Sequence, residues 1–402
     1  MSAPANVQDV HPLLRRRDGA PAHVTSEELF FDLVYAFALT QLSHLLWHHL
    51  TALGVAQALI LWFAVWLGWQ YTCWVTNWFD PQTPAIRTLL LASMALALVM
   101  ASSIPQAFAE RGWLFALAYA AMQVGRTAYV VARLPAGHAL AANYRRILAW
   151  VLIAAIFWLA GGFAAPRLRL LLWPAAVLCE YLSPMFGFAL PGLGRSRTRD
   201  WTIEGAHLAE RCQQFVIVAL GESLLVTGAA LGRAGIPSIG ESLAALLAFL
   251  GTLAMWWLYF GTSSRAATAA IVQSRDPGRM GASFHYIHAI LIAAIIAAAV
   301  GGDVVLARPF GAPARAQVAV LAAGPCLYLL GSAFYKRLVY GVIPLSHVLA
   351  AGVLVLLAPV TGQVNLFLPA ALGTVVLLAV SYWERRMSRG PAARIPAARP
   401  GH

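Results

Sequence analysis

Glu28, Asp32, Arg126, Glu180, Glu210, Arg211, Glu222 and Asp303 are ionisable side chains set inside long apolar runs. A charge in the bilayer core costs a few kcal/mol or more, so each one marks function or a buried partner. The functional reading is a polar pathway, or a substrate or ion cavity. The structural reading is a set of ion pairs fixing helix register, which buried pairs can do without any activity. Glu28 and Asp32 are four residues apart and share one helix face, with Ser43 close to it. His207 lies beside Glu210 and Arg211, and its ring titrates near neutrality, which makes it the candidate proton relay.

Other chemistries are poorly served. His44 and His48 share a helix face, as do His285 and His288, and such spacing can ligate a metal or haem. The pairs fall at opposite ends of their spans, so they cannot build one site and read as interfacial residues. No cofactor or metal is expected. The four cysteines, Cys73, Cys179, Cys212 and Cys326, form no C-x-x-C pair and read as small buried hydrophobes. No P-loop, G-x-G-x-x-G, H-E-x-x-H or D-D-x-x-D motif occurs. Gly221-Glu222-Ser223 lacks the flanks of a nucleophile elbow. We therefore expect no enzyme.

The elements that must carry these charges are membrane helices. The chain has 402 residues, 60% hydrophobic and 11% charged, with a net charge of +12; its mean hydropathy is +0.70. An ordinary soluble domain has roughly 25% charged residues, so a soluble enzyme, a disordered chain and a nucleic-acid binder are excluded. A spanning helix needs about 20 apolar residues. Such stretches run over 27–50, 54–78, 86–108, 112–134, 143–165, 168–190, 206–231, 239–262, 283–306, 315–336, 340–361 and 366–384. The expected fold is an all-α polytopic membrane protein of about 12 transmembrane helices. Thr25 and Glu28 form a capping-box pattern at the first of them.

Most Lys and Arg side chains fall on the side of the N-terminus, including Arg15, Arg16, Arg17, Arg145, Arg146, Arg195 and Lys336. Only Arg111, Arg167, Arg169, Arg233, Arg308 and Arg315 fall on the other. By the positive-inside rule both termini are cytoplasmic, and the basic face meets anionic lipid headgroups. Tryptophans near helix ends (Trp47, Trp74, Trp78, Trp201, Trp383) read as interfacial anchors. The organisation is a cytoplasmic segment 1–26, a six-helix half 27–190, a cytoplasmic loop 191–205, a second half 206–384 and a disordered basic tail 385–402.

At 1.5 Å per residue, Asp32, Arg126, Glu180, Glu210 and Arg211 share the inner half of the bilayer. Glu222 and Asp303 lie in the outer half. Glu222 follows Arg211 on nearly the same helical face, about 16 Å away. One buried charge demands another, so Asp32 should pair with Arg126 or Arg211, in a contact that matters to activity. The two halves could be a parallel duplication. EELFFDLVYAFALTQLS aligns with AERCQQFVIVALGESLL, setting Glu28 against Glu210 and Thr40 against Glu222. Trp69-Gln70-Tyr71 echoes Trp257-Leu258-Tyr259, and Gly125 to Tyr129 echoes Gly331 to Tyr335. Chance similarity among apolar helices is the equal alternative.

The run ELFFDLVYAFALTQLS at 28–43 resembles the signature of the bacterial low temperature requirement A protein family. So do H-L-x-E-R at 207–211 followed by V-A-L-G-E-S at 218–223, WWLYF at 256–260, LYLLG at 327–331 and N-x-F-D at 77–80. The resemblance covers about 27–385. It implies a multi-helix bacterial inner-membrane protein of a family named for a growth phenotype in the cold, with no settled molecular activity. Two departures stand out: Phe284-His285-Tyr286-Ile287-His288 replaces a Tyr-x-x-His-like start, and the acid of the sixth stretch is Glu180 rather than Asp.

The leading functional expectation is a secondary transporter or channel for an unknown small solute or ion, using the intramembrane acids and arginines. The alternative is a non-transporting scaffold or sensor in stress adaptation. An intramembrane enzyme acting on lipids is the least favoured.

Overall fold

The computed structural model describes residues 11–17, 22–135, 137–198, 201–233, 236–261 and 264–389. Among them the helices are α1 (Ser26–His48), α2 (Ala52–Trp78), α3 (Pro84–Ser103), α4 (Gly112–Arg133), α5 (Ala139–Phe163), α6 (Pro166–Met185), α7 (Gly205–Arg233), α8 (Ile239–Phe260), α9 (Ser264–Val272), α10 (Pro277–Ala307), α11 (Arg315–Tyr340), α12 (Leu345–Thr361) and α13 (Phe367–Arg389). A 3₁₀ turn, Ile104–Gln106, extends α3. No strand occurs among the described residues; Leu14 and Phe79 form an isolated antiparallel bridge.

Ten of these helices are long and apolar enough to cross a membrane, so the chain has the make-up of a multi-pass membrane protein. The α12 helix is apolar but shorter, with 17 residues. The α6 helix carries Arg167, Arg169, Glu180 and two internal prolines, Pro174 and Pro184, and its composition keeps it outside the ten. Each expected stretch overlaps a helix, but α10 begins six residues before 283 and α6 ends five residues before 190, and three further differences stand out. The short α9 was not expected. The α12 helix starts late, because Gly341 closes α11 in the left-handed region (φ 79°) and Pro344 precedes the new helix. The α13 helix continues through Arg389, so residues 385–389 are helical rather than the start of a tail; residues 390–402 lie outside the described residues, as does most of the segment 1–26.

The chain divides into two compact units: Met1–Leu45, Ala52–Phe215 and Ile271–His285 form the first, and Leu46–Thr51, Val216–Ala270 and Tyr286–His402 the second. The division runs through α1, α7 and α10 rather than between the sequence halves.

In the first unit, α3 packs on α4, α4 on α5, α5 on α6, and α2 on both α4 and α6. Its core is aromatic. Trp66 sits 4.9 Å from Trp69, Trp69 stacks on Phe215 at 4.5 Å, and Trp74 lies 5.7 Å from His285 and 5.3 Å from Trp201. Trp74, Trp78 and Trp201 are therefore buried, a correction to their reading as interfacial anchors: they fill the α2 interface rather than meeting headgroups. Arg169 is also more than a topology determinant. Its guanidinium donates to the carbonyls of Ala107 (2.6 Å), Gly161 (2.9 Å), Ala109 and Gly162 (both 3.0 Å) and Ala164 (3.2 Å). These are carbonyls left over where helices end. Gly112 makes room for it, since a Cβ there would overlap the guanidinium.

In the second unit, α8 packs on α13 and α11 on α12 and α13. A hydrophobic cluster includes Ala244, Val300, Val304, Val305 and Leu366, with Leu46 and Trp47 against it. Buried Lys336 pairs with Glu384. His347 lies 3.5 Å from the same carboxylate and 3.1 Å from the Ser332 hydroxyl. A cavity of about 70 Å³ is lined by Ser223, Thr227, Thr252 and Thr374, with Gly301 and Gly302 beside it.

Candidate functional site

The first unit holds two buried polar loci. The first begins with the capping box of α1. The Thr25 amide donates to Glu28 Oε2 (3.0 Å), and the Glu28 amide lies 3.4 Å from Thr25 Oγ1. The cap fixes Glu28 where two further elements converge on it. Arg15 Nη2 donates to Oε2 at 3.0 Å, and His207 Nε2 lies 2.8 Å from Oε1. Arg15 is delivered by backbone pairing: its amide donates to the Trp78 carbonyl, and the Asp80 amide to the Leu13 carbonyl, both at 2.9 Å. Its Nε also donates to the Thr76 carbonyl at 2.6 Å.

One turn further along α1, Asp32 receives a two-point fork from Arg211, Nη1 to Oδ2 at 2.9 Å and Nη2 to Oδ1 at 2.8 Å. Trp69 Nε1 donates to Oδ1 at 2.7 Å. Glu28, Asp32, His207 and Arg211 are each at most 1% exposed. Of the two arginines expected to pair with Asp32, the partner is Arg211.

Asn77 fixes the state of His207. Asn77 Oδ1 accepts from the Glu204 amide and Nδ2 donates to the Glu204 carbonyl, both at 2.9 Å, which sets the orientation of the amide. Nδ2 also faces His207 Nδ1 at 3.1 Å. Nδ1 must then accept, and Nε2 carries the hydrogen that goes to Glu28, a tautomer inferred from the network. Nε2 also lies 3.1 Å from Arg15 Nη2, so its hydrogen is directed to the closer Glu28 Oε1 at 2.8 Å. In this tautomer His207 donates to Glu28, held between Glu28, Arg15 and Asn77. With two cations, two anions and a neutral imidazole, the locus is closed and balanced.

The second locus joins α4 to α6. Glu180 accepts from Tyr119 Oη at 2.9 Å, Trp158 Nε1 at 3.1 Å and Gln123 Nε2 at 3.3 Å. Arg126 Nη1 donates to the Gly68 carbonyl at 3.2 Å and to Thr72 Oγ1 at 2.9 Å, and Nη2 donates to Gln123 Oε1. Both charges are buried at 2% exposure, yet neither has an oppositely charged group within ion-pair distance among the described residues. The Gln123 amide stands between them. Arg126 Nε and the Tyr144 hydroxyl have no hydrogen-bond partner among the described residues, and Tyr144 lies within the electrostatic reach of Arg126.

The remaining expected residues lie elsewhere. Glu210 has a side chain 36% exposed and accepts from the Val24 amide at 3.3 Å; it faces away from Glu28, because its neighbour Arg211 occupies the inward face of α7. Glu222 and Asp303 belong to the second unit and are half-buried. His285 and His288 are fully buried rather than interfacial: the first is packed among tryptophans and the second is 2.6 Å from the Tyr259 hydroxyl. Among the described residues no three His, Cys, Asp or Glu side chains are arranged to hold a metal ion.

Sequence reasoning missed Arg15, Trp69, Asn77, Tyr119, Gln123 and Trp158 as members of these loci. Asn77 carried a signal as the first residue of N-x-F-D. Tyr119, Gln123 and Arg126 carried a weaker one, their spacing of four and three along one helix face. Arg15 carried none, since an arginine in a terminal basic run reads as a topology determinant.

The model of the family described as bacterial low temperature requirement A protein matches residues 23–382. An uncharacterized protein of Rhizobium meliloti (strain 1021) is 36% identical over 373 residues, covering 92% of this chain and 91% of that protein. No solved structure matches.

Proposed function

The chain belongs to the bacterial low temperature requirement A protein family, and on that footing we propose that it is an inner-membrane secondary transporter or channel for a small solute or ion. In this reading twelve helices span, α6 and α12 included, and both termini are cytoplasmic against anionic lipid. The halves 27–190 and 206–384 are parallel repeats, and the protein is not an enzyme.

One observation carries the proposal: Arg126 and Glu180 are both sealed from solvent but held apart by a neutral amide. A charge pair that only pins helix register gains most by closing, as Asp32 and Arg211 do, because separation leaves each desolvated charge without its partner. An open pair keeps the capacity to exchange partners. We assign the closed locus around Glu28 and Asp32 to clamping α1, α2 and α7, and the open locus to the transported species.

The second reading is a scaffold or sensor in cold or other stress adaptation, favoured by the closure of the Glu28–Asp32–Arg211 locus. Solute flux into liposomes holding the purified protein, with and without a pH gradient, separates the two. We expect uptake that falls when Arg126 or Glu180 is replaced; protein-independent flux for every solute tried would leave the scaffold reading.

A further inference from the structure

We propose that Arg126 is the binding site for a small monovalent oxyanion and that Glu180 carries the proton that accompanies it, with Gln123 coupling the two. The inference rests on the transport reading and names its substrate class.

The geometry of the guanidinium comes first. An arginine presents five N–H donors in a planar fork. Here Nη1 is held by the Gly68 carbonyl and the Thr72 hydroxyl, Nη2 by Gln123, and Nε by nothing among the described residues. Nε and Nη2 form one edge of the plane, the edge that takes a carboxylate-like oxyanion with two parallel bonds. Gln123 Oε1 is the atom an oxyanion would replace. Tyr71 lies under the guanidinium, 5.5 Å from ring centroid to Cζ. The unpartnered Tyr144 hydroxyl supplies a further donor in the field of Arg126.

The proton follows from Glu180. Its three hydrogen bonds come from neutral donors, so gaining a proton breaks no salt bridge there, whereas protonating Asp32 would break its fork with Arg211. The titratable or charged groups facing Glu180 are Tyr119 and Arg126 from α4, with Cys179 and Tyr181 beside it on α6; α5 contributes Trp158, which does not titrate. Tyr119 can donate to the carboxylate or accept from the acid through the same 2.9 Å contact. Gln123 is the link: its NH₂ donates to the Glu180 carboxylate at 3.3 Å and to Tyr119 Oη at 3.0 Å, while its carbonyl holds Arg126. Neutralising Glu180 weakens the first bond, lets the amide turn away, and opens the Nε–Nη2 edge. The anion and proton then enter together, and the loaded site has the same net charge as the empty one.

The test uses the full-length protein in liposomes containing a pH-sensitive dye, with an inward nitrate gradient at equal pH. Wild type should acidify the lumen as nitrate enters. Glu180→Gln should abolish the acidification, and Arg126→Gln should abolish nitrate entry. Nitrate should raise the thermal midpoint of wild type but not of Arg126→Lys, which keeps the charge and loses the Nε edge; this arm holds if Arg126→Gln does not fold. Acidification surviving in Glu180→Gln, or nitrate stabilising Arg126→Lys as it does wild type, overturns the proposal. If the protein carries rubidium or glycerol but not nitrate, this inference falls and the transport reading stands; if none moves, both fall.

Discussion

Asp32 and Arg211 meet through two parallel hydrogen bonds of 2.9 and 2.8 Å, with Trp69 donating to the same carboxylate at 2.7 Å. Both side chains are sealed from solvent. The fork joins α1 to α7, and the tryptophan ties in α2, so three helices that are distant in sequence share one electrostatic joint. Whether that joint contributes stability depends on the alternative considered. Relative to an apolar replacement of both partners the gain is small, but relative to losing one partner it is large.

That asymmetry gives the first prediction. Asp32→Asn or Arg211→Gln alone should destabilise the protein by about 3–5 kcal/mol, because the surviving charge is left buried and unpaired. The double variant should recover much of that loss in thermal unfolding. In the reading given to this locus, transport should recover with it. Recovery of stability without transport would move Asp32 from clamp to pathway. An unchanged Asp32→Asn protein would show that the pair bears no load at all.

Arg15 should matter although it precedes the first helix. Arg15→Ala removes the cation beside Glu28, whose Oε2 keeps the Thr25 amide, and takes a donor from the Thr76 carbonyl; an acceptor left unsatisfied costs about 1–3 kcal/mol. Arg16, which is exposed, serves as the control: Arg16→Ala should shift the thermal midpoint far less. Equal shifts would mean that the backbone pairing of Leu13 and Arg15 with α2, not the guanidinium, anchors this segment.

The tautomer of His207 is open to direct measurement. Nitrogen-15 spectra of selectively labelled protein should show Nε2 protonated and Nδ1 bare. Asn77→Asp should reverse the constraint, since a carboxylate at that position accepts from Nδ1 and favours the doubly protonated ring. A wild-type ring carrying its hydrogen on Nδ1 would refute the network described here.

How much of this was legible in the sequence differs from residue to residue. The helices were, because apolar runs of about 20 residues have few alternatives. Glu28 and Asp32 were legible because i, i+4 spacing puts them on one face. The partner of Asp32 was narrowed to two arginines by depth but not chosen, since depth along a helix says nothing about its rotation. Gln123 was invisible for another reason: a neutral amide in an apolar helix costs less than a charge, so it draws no attention until its two neighbours are seen. The buried Trp74, Trp78 and Trp201 were misread because a tryptophan near a helix end looks the same whether it faces lipid or another helix.

Gly112 and Arg169 give a prediction about stability alone. Gly112→Ala drives a methyl into the guanidinium that closes the carbonyls of residues 107, 109, 161, 162 and 164. It should therefore destabilise the protein, against the usual small gain of glycine to alanine within a helix. Arg169→Lys should do the same, since a lysine cannot span those carbonyls. Neither change touches Arg126 or Glu180, so flux per folded molecule should hold. A stabilised Gly112→Ala would mean that Arg169 has another place to go.

The span count is settled by helices α6 and α12, which fall short of the other ten in composition or length. Single cysteines at Ala165, Arg195, Ile343 and Gln363 flank them at exposed positions. If both helices span in the proposed orientation, an impermeant thiol reagent added to intact cells should label positions 165 and 363 and spare 195 and 343. If α6 lies along the membrane instead, 165 and 195 would react alike, and every helix after it would change sides. The positive-inside rule makes that alternative costly: it would set Arg195, Arg197, Arg275 and Arg279 against the basic N-terminal segment, across the bilayer from Arg15 and Arg17. Labelling at 165 together with protection at 195 is the outcome we expect, and the reverse pattern at either helix would remove the twelve-span topology and the inner-half placement of Arg126 and Glu180 with it.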